Sequence, residues 1–164
     1  MKNYKAIILG AQCSGKTTLY QHLRSKTNMS TFEQDELLIE KNDGVYPSDL
    51  NHKHDVLLPQ IEKETIADNN RIHIGSYFSV ISLKKAKESG FKIIILSVPE
   101  KILKERNEKR MREQNYDDAN KWLQGELDYL EAIENQGLVS DVIEGTLSVE
   151  EIVKNLMKIL KPSS

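Results

Sequence analysis

Gly10-Ala11-Gln12-Cys13-Ser14-Gly15-Lys16-Thr17 places two glycines, a lysine and a hydroxyl at a spacing that suits the binding of phosphate. Gly10 and Gly15 let the backbone curl so that successive N–H groups, those of Cys13 and Ser14 among them, point at one anion. A helix beginning at that point adds its positive dipole end. Lys16 can reach the outer phosphates, while the Thr17 hydroxyl can ligate the magnesium that accompanies a nucleoside triphosphate, with Thr18 as a second hydroxyl. The pattern reads as a phosphate-binding loop, or P-loop. Cys13 lies where helix dipole and lysine favour a thiolate. Nothing nearby in sequence supplies a base or a resolving thiol, so its small size is the simpler reason for its place.

Two further groups of side chains carry chemistry. Ile102, Arg106 and Arg110 stand at i, i+4 and i+8, which puts both guanidinium groups on one helix face with Arg112 close by. Arginine forks match phosphate oxygens and stabilise charge developing on a transferred phosphoryl group. Asp35, with Glu36 in reserve, follows the weakly marked strand Met29–Glu33. A carboxylate there can orient or deprotonate an attacking hydroxyl, or reach magnesium through water.

These residues need a scaffold, and the apolar runs describe one. Residues 4–9, 29–33, 71–75 and 93–98 read as strands, joined by 138–143 as a short last one, with helices over 15–26, about 55–67, 80–89, from Pro99 onward, from about 119 to Gly137, and from Ser148. Apolar runs of this length, separated by helices, describe a parallel sheet buried on both faces. Such sheets gather ligands outside the carboxyl ends of their strands, which brings Asp35 to the rim that carries the P-loop. Asp55 is expected to cap the 55–67 helix with Pro59 in its first turn, and Pro99 to open its helix at the first position. Ser148 and Glu151 make a capping box. Trp122 reads as packing within an amphipathic helix. The polar stretch Lys41–His54 reads as a segment shaping the acceptor pocket, and its His52, His54 pair has no third metal ligand nearby.

Composition limits the alternatives. A chain of 164 residues with formal charge −2 and one cysteine fits a single domain spanning 1–161, with a lid within about 100–120 and a short polar tail at 162–164. It lacks the clustered positive charge of a general nucleic-acid binder. One cysteine permits no disulfide framework, and no apolar run reaches the ~18 residues of a membrane span, so the expected location is cytoplasmic.

The P-loop, the arginine-bearing helix after the fourth strand and the final strand, turn and capped helix together resemble the P-loop kinase family typified by nucleoside monophosphate kinases, shikimate kinase and related small-molecule kinases. The resemblance implies an α/β P-loop NTPase fold: a five-stranded parallel sheet in order 2-3-1-4-5, helices on both faces and a small helical lid. It also implies transfer of the ATP γ-phosphate, with Mg2+, to a small-molecule acceptor by a monomer or homodimer. Gly10, Gly15, Lys16, Thr17 and Thr18 match the triphosphate and magnesium site, Arg106 and Arg110 the lid arginines, Glu144–Leu147 with Gly145 and Thr146 the loop bordering adenine, and Asp35 the catalytic acid of members that phosphorylate hydroxyls. Ile74-Gly75 departs from the Asp-Gly pattern of the nucleoside monophosphate kinases, which argues against an ordinary nucleotide acceptor. Two other functions fit the residues: a nucleotide-binding regulatory module or slow NTPase, favoured by the missing acid at Ile74, and a polynucleotide-end kinase, disfavoured by the acidic balance.

Overall fold

The computed structural model describes residues 3–161, so the tail at Pro162-Ser163-Ser164 lies outside the described residues. Strands β1 (Lys5–Leu9), β2 (Thr31–Glu33), β3 (Arg71–Gly75), β4 (Lys92–Ser97) and β5 (Asp141–Glu144) form one parallel sheet in the order β2-β3-β1-β4-β5. This is the expected topology. The chain passes from β1 out to β2, returns to place β3 between them, and then crosses to β4 on the other side of β1, so strand order reverses directly beside the P-loop.

Alternation along the central strands builds two cores. Ile7 and Leu9 of β1 join Ile93 and Ile95 of β4 under helices α5 (Val80–Glu88), α6 (Glu100–Gln114) and α7 (Asn120–Asn135), which contribute Leu83, Leu103, Leu123, Leu130 and Ile133. Ala6, Ile8, Ile94 and Leu96 face the other way, against Leu19 and Leu23 of α1 (Lys16–Lys26) and Ile152, Leu156 and Leu160 of α8 (Val149–Leu160). The α8 capping box forms as expected, with Ser148 and Glu151 each bonding the other's backbone N–H. Val153 and Ile159 of the same helix are only partly buried against this core. Among the described residues no helix is long and apolar enough to cross a membrane.

The acceptor side is assembled differently from its sequence-based expectation. Helix α2 (Gln34–Lys41) starts directly at the end of β2, and the following helical stretch begins at Leu50, not near 55. It runs through α3 (Leu50–His52), a π-helical turn at Lys53–Leu57 and α4 (Leu58–Ala67). Asp49, not Asp55, is the cap, its carboxylate accepting from the Asn51 and His52 N–H groups. Pro59 explains the π turn, because a proline ring clashes with the carbonyl four residues back, here Asp55, and a wider turn relieves that clash. Leu57, Leu58 and Ile61 pack on Leu38 as a third, smaller core that fixes this unit against α2. Pro99 also shifts by one place, acting as the N-cap of α6.

One buried group makes stability depend on pH. His73 of β3 is buried edge-on to Phe78, and neither ring nitrogen has a hydrogen-bond partner. Burial first, and the Arg71 charge second, hold its pKa down at about 3. The folded state therefore binds fewer protons than the unfolded chain between that value and the ordinary 6.5. This contribution is fully present above pH 6.5 and is lost as pH falls, at roughly 1.4 kcal/mol per unit within the window. Urea unfolding at pH 7, 5 and 4 should show a shallower loss for His73→Leu than for the wild type. Equal slopes would refute the assignment.

Candidate active site

The loop between β1 and α1 takes the shape its glycines allow. Cys13 and Gly15 both adopt positive φ, 67° and 99°, and the first α1 turn follows immediately. Alternating helical and left-handed residues turn their N–H groups toward one concavity, the arrangement an anion needs. Gly15 is the glycine required by conformation. Gly145 is required by proximity, since a Cβ there would meet Val98 at 2.6 Å and the Ser14 carbonyl at 3.1 Å. The β5–α8 turn thus lies directly on the P-loop.

Lys16 folds back over this loop, its ammonium donating to the Gly10 and Ala11 carbonyls at 2.5 and 3.0 Å. Burial pulls its pKa below the ordinary lysine value, and three carboxylates oppose that pull: Glu126 most strongly, then Asp35 and Glu33. Two of these three come from outside the sequence-based candidates.

Glu33 ends β2 and is paired in register with Ile74 of β3. It therefore supplies, from the neighbouring strand, an acid at the rim where Ile74 itself has none. Burial and repulsion from Asp35 and Glu36 raise its pKa. Its signal in the sequence was its place one residue before a helix and two before Asp35, but only the pairing register aligns it with Ile74. Asp35 itself is exposed in the first turn of α2. Glu126 arrives from α7, where one carboxylate oxygen accepts from the Gln12 N–H at 3.4 Å. Burial raises its pKa, while Lys16 and the Gln12 N–H hold it down.

The P-loop, the Glu33–Asp35 segment, the α3 region, the β3 terminus and α7 together enclose a cleft of about 790 Å3. Lys16, Thr17, Asp35 and Arg110 all line it. Tyr46, Leu50, Lys53 and His54 line it as well, so the segment expected to shape the pocket does so. Trp122 corrects an expectation: it is 55% exposed and lines the cleft, at the edge of the stripe through which α7 buries Leu123, Leu130 and Ile133. Trp122, Glu126 and Tyr129 recur at four and three residues and so share the cleft face of α7.

The two α6 arginines separate in role. Arg106 donates to the Cys13 carbonyl at 2.9 Å and the Gly145 carbonyl at 3.4 Å, tying α6 to both phosphate-side loops. Arg110, one turn on, lines the cleft with its guanidinium 5.7 Å from the centre of the Tyr116 ring. The link from α6 to α7 is held by Asp118, which accepts from Asn107 Nδ2 and the Asn120 N–H at 2.8 and 2.9 Å. Thr146 bonds Glu144 beside Gly145, and Thr18 is exposed on α1, so neither lines the cleft.

Magnesium can be tested against these groups. Thr17, Glu33 and Asp35 offer hard oxygen donors on one wall, and among the described residues no set of three acidic, histidine or cysteine side chains encloses a cation. Such a donor set fits a magnesium ion that keeps water and phosphate oxygens in its shell.

Solved structures share this architecture. The chain is similar to a gluconokinase from Sinorhizobium meliloti 1021, with a TM-score of 0.65, 18% identity and coverage of 98% of this chain and 95% of that one. It is similar to shikimate kinase from Acinetobacter baumannii in complex with shikimate, with a TM-score of 0.70, 14% identity and coverage of 96% and 93%. For shikimate kinase from Aquifex aeolicus vf5 the values are 0.70, 15%, and 94% of each chain. At these identities the likeness is one of fold, the fold of P-loop small-molecule kinases. No curated protein sequence matches the chain. The model of the AAA domain family matches residues 6–130, most of the chain and all of the cleft-forming elements up to Tyr129, and the protein belongs to that family.

Proposed function

We propose that this protein is an ATP- and magnesium-dependent phosphotransferase that moves the γ-phosphate to a hydroxyl group of a small molecule. The observation that carries this reading is the cleft itself: the P-loop lysine and the Asp35 carboxylate line one cavity large enough for a nucleotide tail and an acceptor together. A site that only bound or slowly hydrolysed nucleotide would need no such second compartment.

In this reading the P-loop amides and Lys16 hold the β- and γ-phosphates, and the Gly145–Thr146 turn borders the base. Thr17, with Glu33 and Asp35 through water, would hold magnesium, which when bound offsets negative charge on the phosphates. Asp35 accepts the proton of the acceptor hydroxyl as its oxygen bonds to the γ-phosphorus. The bond to the β–γ bridging oxygen breaks and ADP leaves. Arg110 reaches the transferring group from the lid segment, while Arg106 positions the P-loop through its carbonyl contacts. Orientation and electrostatics supply the rate, since phosphoryl transfer asks little covalent chemistry of the protein.

The test is ADP release in magnesium across a panel of hydroxyl-bearing and phosphate-bearing acceptors. Acceptor-dependent release supports the proposal, whereas ATP binding that no acceptor converts into turnover favours a regulatory module. The acid that Glu33 supplies beside Ile74 weighs against that second reading.

Glu126 makes a separate expectation. Its carboxylate sits on a P-loop N–H where an anionic ligand would bind, so it competes with phosphate. Glu126→Gln should tighten ATP binding about three- to ten-fold at low salt, as expected when one like charge is removed from a shielded site. Calorimetric titration with ATP measures this directly, and weaker binding by the variant would show that Glu126 assists the nucleotide.

A further inference from the structure

The cleft has a composition unlike the rest of the surface. Four of the six tyrosines and the single tryptophan line it. Among the described residues every exposed tyrosine, phenylalanine or tryptophan belongs to this one cleft: Tyr46 at 44%, Tyr77 at 38%, Tyr116 at 59% and Trp122 at 55%. They arrive from four separate parts of the chain, so no local helix or strand pattern brings them together. Leaving this much aromatic surface in water is unfavourable unless a ligand covers it.

One polar handle of this wall is already engaged. The Tyr129 hydroxyl accepts from the Phe78 N–H at 2.9 Å and donates to the Phe78 carbonyl, which holds the ring upright in the cleft. Tyr77 packs on Tyr129 with ring centres 5.0 Å apart, and His54 meets Tyr77 edge-on at 6.2 Å. Gln34 accepts from the Tyr77 N–H at 3.4 Å. With Tyr129 held in this way, the stacked Tyr77 and Tyr129 rings and the exposed Trp122 indole offer flat apolar faces, which another planar ring covers more fully than a polyol does.

Charge narrows the class further. Glu33, Asp35 and Glu126 line the cleft, whereas Lys16 is folded onto the P-loop. Arg110 is the one arginine among the lining residues and lies over Tyr116, and Lys53 lies 5.3 Å from the centre of the Tyr46 ring. Recognition of an acceptor phosphate or carboxylate calls for converging guanidinium forks, and three carboxylates nearby oppose it.

Resting on the phosphotransferase reading above, we infer that the acceptor is an uncharged alcohol bearing a planar aromatic or heteroaromatic ring, its ring stacked on Trp122 and the Tyr77–Tyr129 pair and its hydroxyl directed to Asp35. A nucleoside and a simple aryl alcohol share this chemistry. A nucleoside monophosphate and a sugar acid do not.

Trp122 reports on its own site, because the chain has no other tryptophan. The full-length protein with magnesium and ATP is presented with nucleosides, hydroxymethyl-substituted arenes, the matching nucleoside monophosphates, and non-aromatic acceptors such as glucose, gluconate and shikimate. ADP release is followed for each, and Trp122 emission is titrated in parallel with a non-hydrolysable ATP analogue. A ring-bearing alcohol should change the emission and stimulate ADP release at least ten-fold more effectively, by kcat/KM, than the matching monophosphate or any non-aromatic compound. The nucleoside and arene arms then tell which kind of ring is taken. Trp122→Leu should raise KM for that acceptor roughly ten-fold with kcat little changed, and Trp122→Phe should recover most of the loss. Preference for a monophosphate or a non-aromatic polyol overturns this inference while leaving the phosphotransferase reading intact, as does an unchanged KM in Trp122→Leu. ATP binding with no acceptor-stimulated release in any arm overturns both.

Discussion

Lys16→Ala should lower acceptor-dependent ATP turnover on the order of 10³-fold in kcat/KM, the scale of removing a charged group aimed at developing charge. The side chain is placed for this role by its neighbours more than by its own bonds. It lies across the Gly10 and Ala11 carbonyls, among Glu126, Asp35 and Glu33, where burial disfavours an uncompensated cation and a phosphate would complete the balance. Because burial lowers its pKa, the neutral form is reached more readily than for an ordinary lysine. Turnover should therefore fall on the alkaline side earlier than a free lysine would dictate, and the arriving phosphates should oppose that loss. Lys16→Arg keeps the charge but not the compact ammonium, and should remain impaired. Steady-state kinetics beside direct ATP titration checks the claim: near-wild-type turnover in Lys16→Ala would remove the P-loop from the chemistry altogether.

Asp35→Asn should reduce kcat by roughly 10² to 10⁴-fold, the range for loss of a general base, with little change in ATP affinity. The asymmetry is the useful part. Asp35 is exposed at the N-terminal turn of α2, so its replacement by a near-isostere disturbs no buried contact and should leave unfolding midpoints close to wild type. It contributes attraction to Lys16, but less than Glu126 does, so ATP binding should barely respond. A large kcat loss with intact binding would mark Asp35 as the group that handles the acceptor proton. A rise in KM for ATP with kcat preserved would instead place Asp35 on the nucleotide, and Glu33, one residue before α2, would become the candidate base.

The parts of this site that could be read along the chain are those encoded by local spacing. The P-loop needs only a strand, two glycines and a helix start, all contained within a dozen residues, and its conformation follows from where positive φ is tolerated. Helical spacing puts Arg106 and Arg110 on one face of α6, and that much is local, but only Arg110 lines the cleft. The partners of Arg106, the Cys13 and Gly145 carbonyls, are not local, since nothing in an isolated helix tells which backbone oxygen will meet a guanidinium. Pro59 does lie in the first turn of α4, but a π turn leads into that turn, and a proline at a free helix start and one after a π turn leave the same mark in sequence. Trp122 misled for a related reason: an amphipathic pattern identifies two faces, but a tryptophan beside the boundary can belong to either, and α7 turns its own toward the cleft.

The sequence by itself determined the phosphate-binding loop, the parallel five-stranded sheet and the membership of Asp35 on the ligand rim. Each depends on short-range patterns: the period of apolar residues, the position of caps and the backbone freedom of glycine. Tertiary structure alone decided which acids surround Lys16 and which rings face the acceptor. Glu33 gains its place by pairing β2 with β3, across a connection that contains α2 through α4. Glu126 gains its place by bringing α7 over a loop 114 residues earlier. Such convergence is set by strand register and helix packing, which act through the buried faces of the elements, while the residues that meet in the cleft lie at the edges of those faces and in loops and leave no periodic trace of one another.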